Sequence, residues 1–166
     1  MQNRALALLE IERKIRHYCG YQERCEREVR EKLGNWQLTK RQQDAIIDQL
    51  IDEGYLNEDR YLESFINGKL RQKHWGKLKI RSALSQKGIA PSKIDSALAA
   101  IDALEYEDIG YQMLLKKWRE LDKTIVDDFE LKGRLAQYLF AKGFEPDLVW
   151  KWIAAATKNP DLVGRG

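Results

Sequence analysis

Lys87-Gly88-Ile89-Ala90-Pro91-Ser92, followed by Ile94 and Leu98, returns 55 residues later as Lys142-Gly143-Phe144-Glu145-Pro146-Asp147, followed by Val149 and Ile153. Upstream, Ile80 and Leu84 map onto Leu135 and Leu139 at the same offset. Each copy spells a helix ended by glycine, a three-residue link, and a new helix with proline at its first position, where a missing N–H does no harm. A looser first copy runs Val29, Leu33, Gly34, then a longer link to Ile46 and Leu50. One leading helix for each pair divides the chain into three units of three helices, at about 3–56, 57–103 and 104–157. The expected organisation is a single all-α domain over 1–157 with about nine helices and no sheet, then an aperiodic, flexible tail over 158–166.

Local signals agree with helices. Leu6, Leu9, Ile11 and Ile15 start one amphipathic segment, and Ile46, Ile47, Leu50 and Ile51 form another. Thr39 and Gln42 have capping-box spacing, and Gly54 suits a left-handed cap at the far end of the same helix. Asn57 caps the next helix, with Glu58 and Asp59 where carboxylates favour the helix dipole. That helix is expected to bury Tyr61, Leu62, Phe65, Ile66 and Leu70.

Composition narrows the class. The 166 residues, 43% hydrophobic and 33% charged, describe a well-charged globular chain long enough to bury a core. No apolar run approaches the roughly 20 residues of a membrane span. The Ala5–Leu9 run is cut by Glu10 and reads as no signal peptide, so the expected address is cytoplasmic. Cys19 and Cys25 are too few for a disulfide framework and read as reduced packing residues.

Motifs for chemistry are weak throughout. Gly68-Lys69-Leu70 and Gly76-Lys77-Leu78 lack the leading glycine and the Ser/Thr of a phosphate-binding loop. His17 and His74 sit in no metal-binding pattern, and His17 with Cys19 and Cys25 makes a poor ligand set. Acidic pairs such as Asp127 and Asp128 fall at helix starts, where capping explains them. The expectation is a protein without catalytic residues, metal or cofactor.

Charge distribution is more telling. Between Glu63 and Asp95 there is no acid, yet there are eight bases, in a chain whose net charge is only +3. Lys69, Arg71, Lys73, Lys77, Lys79, Arg81 and Lys87 are therefore the candidate contacts to a phosphate-bearing partner. Lys77 and Arg81 share a helical face while Lys79 points elsewhere, so the expected surface is broad. The competing explanation is a solvated face that serves solubility. Trp75 reads as a stacking residue or a core plug, and Trp150 in the last helix as a partner contact or the closing face of the array.

The stretch Gly54-Tyr55-Leu56-Asn57-x-Asp59-Arg60-Tyr61 with Phe65, the segment Arg81-Ser82-Ala83-Leu84-Ser85-Gln86-Lys87-Gly88-Ile89, Lys142-Gly143-Phe144, and Glu28-Val29-Arg30-x-Lys32-Leu33 together resemble the RecX family, regulators of the RecA-type recombinase. The resemblance runs from about residue 10 to 157. It implies three tandem three-helix repeats in a curved, elongated array. It also implies a monomer that binds the RecA–DNA filament and restrains its extension, ATPase activity and strand exchange. Single-stranded DNA, with double-stranded DNA as a second candidate, is the implied nucleic-acid partner. Two departures are visible: Leu62 stands where alanine is usual, and Trp75 replaces a small or basic residue. Tyr55, Leu56, Tyr61 and Phe65 are expected to be structural, locking the first repeat to the second. Two rivals are a helix-turn-helix regulator that inserts Lys77–Lys87 into a duplex groove, and a helical-repeat adaptor with a purely protein partner.

Overall fold

The computed structural model describes residues 2–163. Among them are nine α-helices and no strand: α1 (Gln2–Tyr21), α2 (Glu26–Gly34), α3 (Lys40–Asp52), α4 (Glu58–Asn67), α5 (Lys77–Gln86), α6 (Pro91–Ala99), α7 (Ala103–Leu121), α8 (Asp128–Lys142) and α9 (Pro146–Thr157). They fall into three consecutive groups of three, and the all-α repeat expected from the sequence is what forms. A π-helical turn over Gly68–Gln72 extends α4, and a 3-10 turn follows α9 at Pro160–Val163. By compactness the chain divides inside α4, into residues up to Phe65 and residues from Ile66 onward.

The first unit is built around α1–α3. Ile15, Cys19, Val29, Leu33, Ile46, Ile47, Leu50 and Leu56 form its core, with Leu8, Ile11, Tyr18, Trp36 and Leu38 packed against it. The inward stripe of α1 is thus Leu8, Ile11, Ile15 and Cys19: Ile11 and Ile15 pack as expected, and Leu8 takes the place expected for Leu9. Leu9 is 61% exposed, and the Leu6 side chain lies outside the described residues. The capping box on α3 is present: the Thr39 N–H donates to Gln42 Oε1 at 3.0 Å and the Gln42 N–H to Thr39 Oγ1 at 3.3 Å. The left-handed residue in the α2–α3 link is Gln37, with φ 53°, rather than Gly34. Both cysteines are buried and form no disulfide, and burial pushes the Cys19 thiol up to about 11.

The second unit holds the two close copies of the repeat. Every pair at the 55-residue offset is buried on both sides: Ile80 and Leu135, Leu84 and Leu139, Ile89 and Phe144, Ile94 and Val149, Leu98 and Ile153. Gly54, Gly88 and Gly143 have φ of 75°, 81° and 91°, and each closes a helix in the same way. In the second copy the Ile89 N–H reaches Leu84 O and the Gly88 N–H reaches Ser85 O; in the third, Phe144 and Gly143 repeat this onto Leu139 O and Phe140 O. These paired bonds need a left-handed residue at the turn, which glycine adopts at no steric cost. The segment expected as a tail departs in part: within Pro160–Val163 the Leu162 carbonyl accepts from Arg119 Nη2 at 2.8 Å, which holds the turn to α7. Residues 164–166 lie outside the described residues.

Candidate partner-binding surface on the second unit

The basic run begins on unusual backbone. In the π-turn the Lys73 N–H bonds back five residues to Gly68 O at 3.3 Å, and the Trp75 N–H returns to Lys69 O at 2.9 Å. Between them His74 is left-handed, with φ 52°, a costly conformation for a side-chain-bearing residue. The chain then reaches Gly76, the N-cap of α5, which lies against the end of α8. Gly76 N–H donates to Lys142 O at 2.8 Å and Leu78 N–H to Gly143 O at 3.0 Å. The first amides of α5 and the last carbonyls of α8 thus satisfy one another, and the helix dipoles run head to tail.

Tyr106 of α7 closes this joint. Its hydroxyl oxygen accepts from the Lys77 N–H at 2.9 Å and its O–H donates to Glu145 Oε2 at 2.5 Å. Its ring lies 5.5 Å from that of Phe144. Burial, reinforced by the Glu145 carboxylate, pushes the Tyr106 phenol far above its ordinary range.

Around this anchored segment the cations take distinct positions. Lys69 and Lys79 each place an ammonium 4.7 Å from the Trp75 ring centre, and Lys77 sits 4.7 Å from that of Tyr106. Lys79 Nζ also donates to Ala141 O at 3.3 Å. Trp75 is half-buried, so it serves as the ring on which two lysines rest rather than as a core plug. Lys73 is exposed, and its side chain has no ion-pair, hydrogen-bond or ring partner among the described residues. Lys87 sits half-buried at the C-cap of α5.

The two arginines behave differently. Arg71 makes a two-pronged pair with Glu105 at 2.6 and 3.0 Å, which holds the Glu105 carboxyl below the usual carboxylate range. Arg81 pairs with Asp95. The acid-free stretch therefore receives carboxylates from outside itself, from α6 and α7. Its surface is less positive than the linear count implies, because two of its guanidinium groups face carboxylates. Sequence reasoning missed Gly76, Asp95, Glu105, Tyr106 and Glu145. Their partners are far along the chain, and no local spacing marks them.

The Gly54–Phe65 motif lies in the first unit. Leu56 and Tyr61 are buried, and burial beside Cys25 and Glu28 pushes the Tyr61 phenol up. The Tyr61 and Phe65 rings lie 5.7 Å apart, with Phe65 half-buried. Arg60 Nη2 donates to Gly54 O at 2.8 Å and its Nε pairs with Glu23 at 2.9 Å, so the motif is tied to itself and to the α1–α2 link. Asp59 is an exposed residue in the first turn of α4, and the Asn57 side chain caps that turn through the Arg60 N–H at 2.9 Å. Tyr55 departs from its expected packing role: it is 38% exposed, because its N–H completes the Gly54 cap while its ring stays on the surface.

Among the described residues no cluster of three or more His, Cys, Asp or Glu is placed to hold a metal ion, and no helix is long and apolar enough to cross a membrane. On α8 and α9, Phe140 and Trp150 form an exposed edge-to-face pair at 6.2 Å.

Comparison with known proteins places this geometry. Residues 57–98 match the model of the second three-helix domain of RecX, and residues 105–153 that of the third. The regulatory protein RecX of Clostridium beijerinckii is 30% identical over 74% of this chain and 57% of its own length. That of Streptococcus agalactiae is 30% identical over 80% of this chain and 50% of its own. The chain thus spans about half the length of these relatives. The crystal structure of RecX from Lactobacillus salivarius superposes with a TM-score of 0.82 at 23% identity, covering 93% of this chain and 99% of that one. A second crystal structure of a regulatory protein RecX gives 0.75 at 24% identity, over 93% and 76% of the two chains. These two likenesses speak for the fold. The two domain models take up more than half of the sequence, in order and at the positions of the second and third repeats, and the chain belongs to the RecX family of regulatory proteins.

Proposed function

We propose that this protein binds the filament of a RecA-type recombinase on DNA and restrains its extension, ATP hydrolysis and strand exchange. It acts by occupying the filament rather than by catalysis, as a monomer in the cytoplasm and without a cofactor. The observation that carries the reading is the lysine set, with Lys69 and Lys79 over Trp75, Lys77 over Tyr106 and Lys73 exposed beside them in sequence, on a segment locked to α8 by Gly76 and Leu78. Resting on rings, Lys69, Lys77 and Lys79 lose less freedom on meeting phosphate than free side chains would. Family membership supplies the regulatory role, since the relatives are named regulatory proteins.

The groove-inserting helix-turn-helix reading is disfavoured by the same geometry. The amides of Gly76, Lys77 and Leu78 at the start of α5 are taken up by the end of α8 and by Tyr106 of α7, so they are not available to base edges or phosphates.

The test adds the purified protein to recombinase filaments on single-stranded DNA and follows ATP hydrolysis and strand exchange. Both should fall as protein is added. Unchanged rates, with no co-sedimentation on the filament, would overturn the proposal.

A further inference from the structure

The first unit carries a second cationic surface that the basic run does not include. Two grooves flank the C-terminal half of α1. One, of about 350 Å³, is lined among others by Lys14, Tyr18, Tyr21, Arg24, Lys32 and Trp36. The other, of about 740 Å³, is lined by Arg13, Arg16, Tyr55 and Gly20. His17 and Tyr21, one helical turn apart, are common to both and form the ridge between them. Among the described residues neither lining contains a carboxylate.

The two grooves differ in how far their charge is cancelled. In the larger one Arg13 pairs with Glu10 at 2.8 Å and Arg16 with Glu53 at 2.7 Å. In the smaller one Lys14 has Glu10 at 3.6 Å, and the Glu28 carboxylate near Tyr18 accepts from the Cys25 N–H at 3.1 Å; among the described residues no ion pair holds Arg24 or Lys32. Arg24 lies over the Tyr18 ring at 3.9 Å, and Lys32 lies 5.4 Å from Tyr18 and 6.0 Å from Trp36. Ring contacts leave a positive charge uncancelled, so the smaller groove keeps its attraction for anions. Tyr21, 79% exposed, has its ring open to solvent at the lip of both.

We propose that these grooves bind single-stranded nucleic acid, with phosphates beside Arg24 and Lys32 and a base stacked on Tyr21. The occupant follows from the lining. A single strand carries both phosphates and unpaired rings, and the smaller groove offers both cations and the open ring of Tyr21. An acidic peptide would use the cations and leave Tyr21 idle, and a duplex offers no free base face. The inference stands on the first unit alone and does not depend on the recombinase reading.

The test is direct binding of a fluorescein-labelled oligodeoxythymidylate to the full chain by anisotropy, with no recombinase present. Tyr21→Ala removes an exposed ring and should weaken binding about fivefold or more. Tyr21→Phe should bind like wild type. The double variant Arg24→Gln/Lys32→Gln should lower the slope of log affinity against log salt by roughly 1.4, at about 0.7 per phosphate on a single strand. On an oligonucleotide of the same length lacking bases, Tyr21→Ala should make no difference. Circular dichroism of each variant checks that the helices are intact. Should the Arg24 variant be unstable, Lys32→Gln alone must lower the slope by about 0.7. Wild-type affinity in Tyr21→Ala and an unaltered slope in the charge variants would overturn the proposal. So would equal competition by polyglutamate, which would assign the grooves to an acidic peptide.

Discussion

Gly76 and Gly143 meet backbone to backbone: a Cβ on Gly76 would stand 2.2 Å from Gly143 O and 2.4 Å from the Phe144 amide nitrogen. The approach is possible only because Gly76 lacks a side chain there. It joins the start of α5 to the end of α8, and it seats the lysines of the candidate surface.

Gly76→Ala should therefore destabilise the protein by about 2 kcal/mol or more, since the rigid neighbour is backbone and cannot step aside. Gly133, inside α8 with nothing within 4 Å of a built Cβ, is the contrast. Gly133→Ala should stabilise by about 0.5–1 kcal/mol through helix propensity. Urea unfolding of both variants checks the pair of signs.

Gly88 and Gly143 occupy equivalent turns but should not respond equally. Gly88→Ala meets nothing within 4 Å and should cost about 1–2 kcal/mol from the left-handed backbone alone. At Gly143 the new Cβ would also lie 2.3 Å from Lys79 Cβ and 2.6 Å from its nitrogen. Thermal unfolding should show the larger loss in Gly143→Ala, and equal losses would contradict the packing described.

Tyr106→Phe deletes the acceptor for the Lys77 N–H and should cost about 1–3 kcal/mol. The phenol is raised in the folded state, so its neutral form is favoured there. That contribution is fully present below about pH 10, the ordinary tyrosine value, and is lost as pH rises beyond it. Wild-type stability should fall more steeply than that of Tyr106→Phe above that pH, as measured by denaturant midpoints across the alkaline range.

Charge removal should discriminate among the seven candidate cations. Lys73→Gln/Lys77→Gln should weaken filament binding and flatten its salt dependence, by roughly 0.7–0.9 in the log–log slope for each phosphate no longer neutralised. Arg71→Gln/Arg81→Gln should change the slope less, because Glu105 and Asp95 already neutralise those guanidinium groups. Titration onto recombinase filaments at several salt concentrations distinguishes the two, and a larger effect from the arginine pair would reverse the assignment.

The helices and their ends were legible in the sequence because their causes are local. Apolar residues three and four apart, a Thr39–Gln42 box, Asn57 before two acids, and glycine followed by proline each act within a few residues. The 55-residue recurrence of Ile80, Leu84, Gly88 and Pro91 likewise made the repeat visible, since one buried stripe must be built twice. On α1 the sequence pointed to Leu9 where Leu8 packs inward, because adjacent apolar residues leave two faces open to periodicity alone. Tertiary structure decided the electrostatics and the close approaches. Glu105 and Asp95 reach Arg71 and Arg81 from other helices, so a linear charge count overstated the field. Gly76 carried no local signal of its role, and only the approach of α8 makes it irreplaceable. Tyr18, Tyr21, Arg24, Lys32 and Trp36 lie in a part of the chain whose net charge is unremarkable, and they converge only when α1 packs on α2. Backbone bonding reads a few neighbours along the chain, whereas ion pairs and grooves depend on distances in space that a fold alone determines.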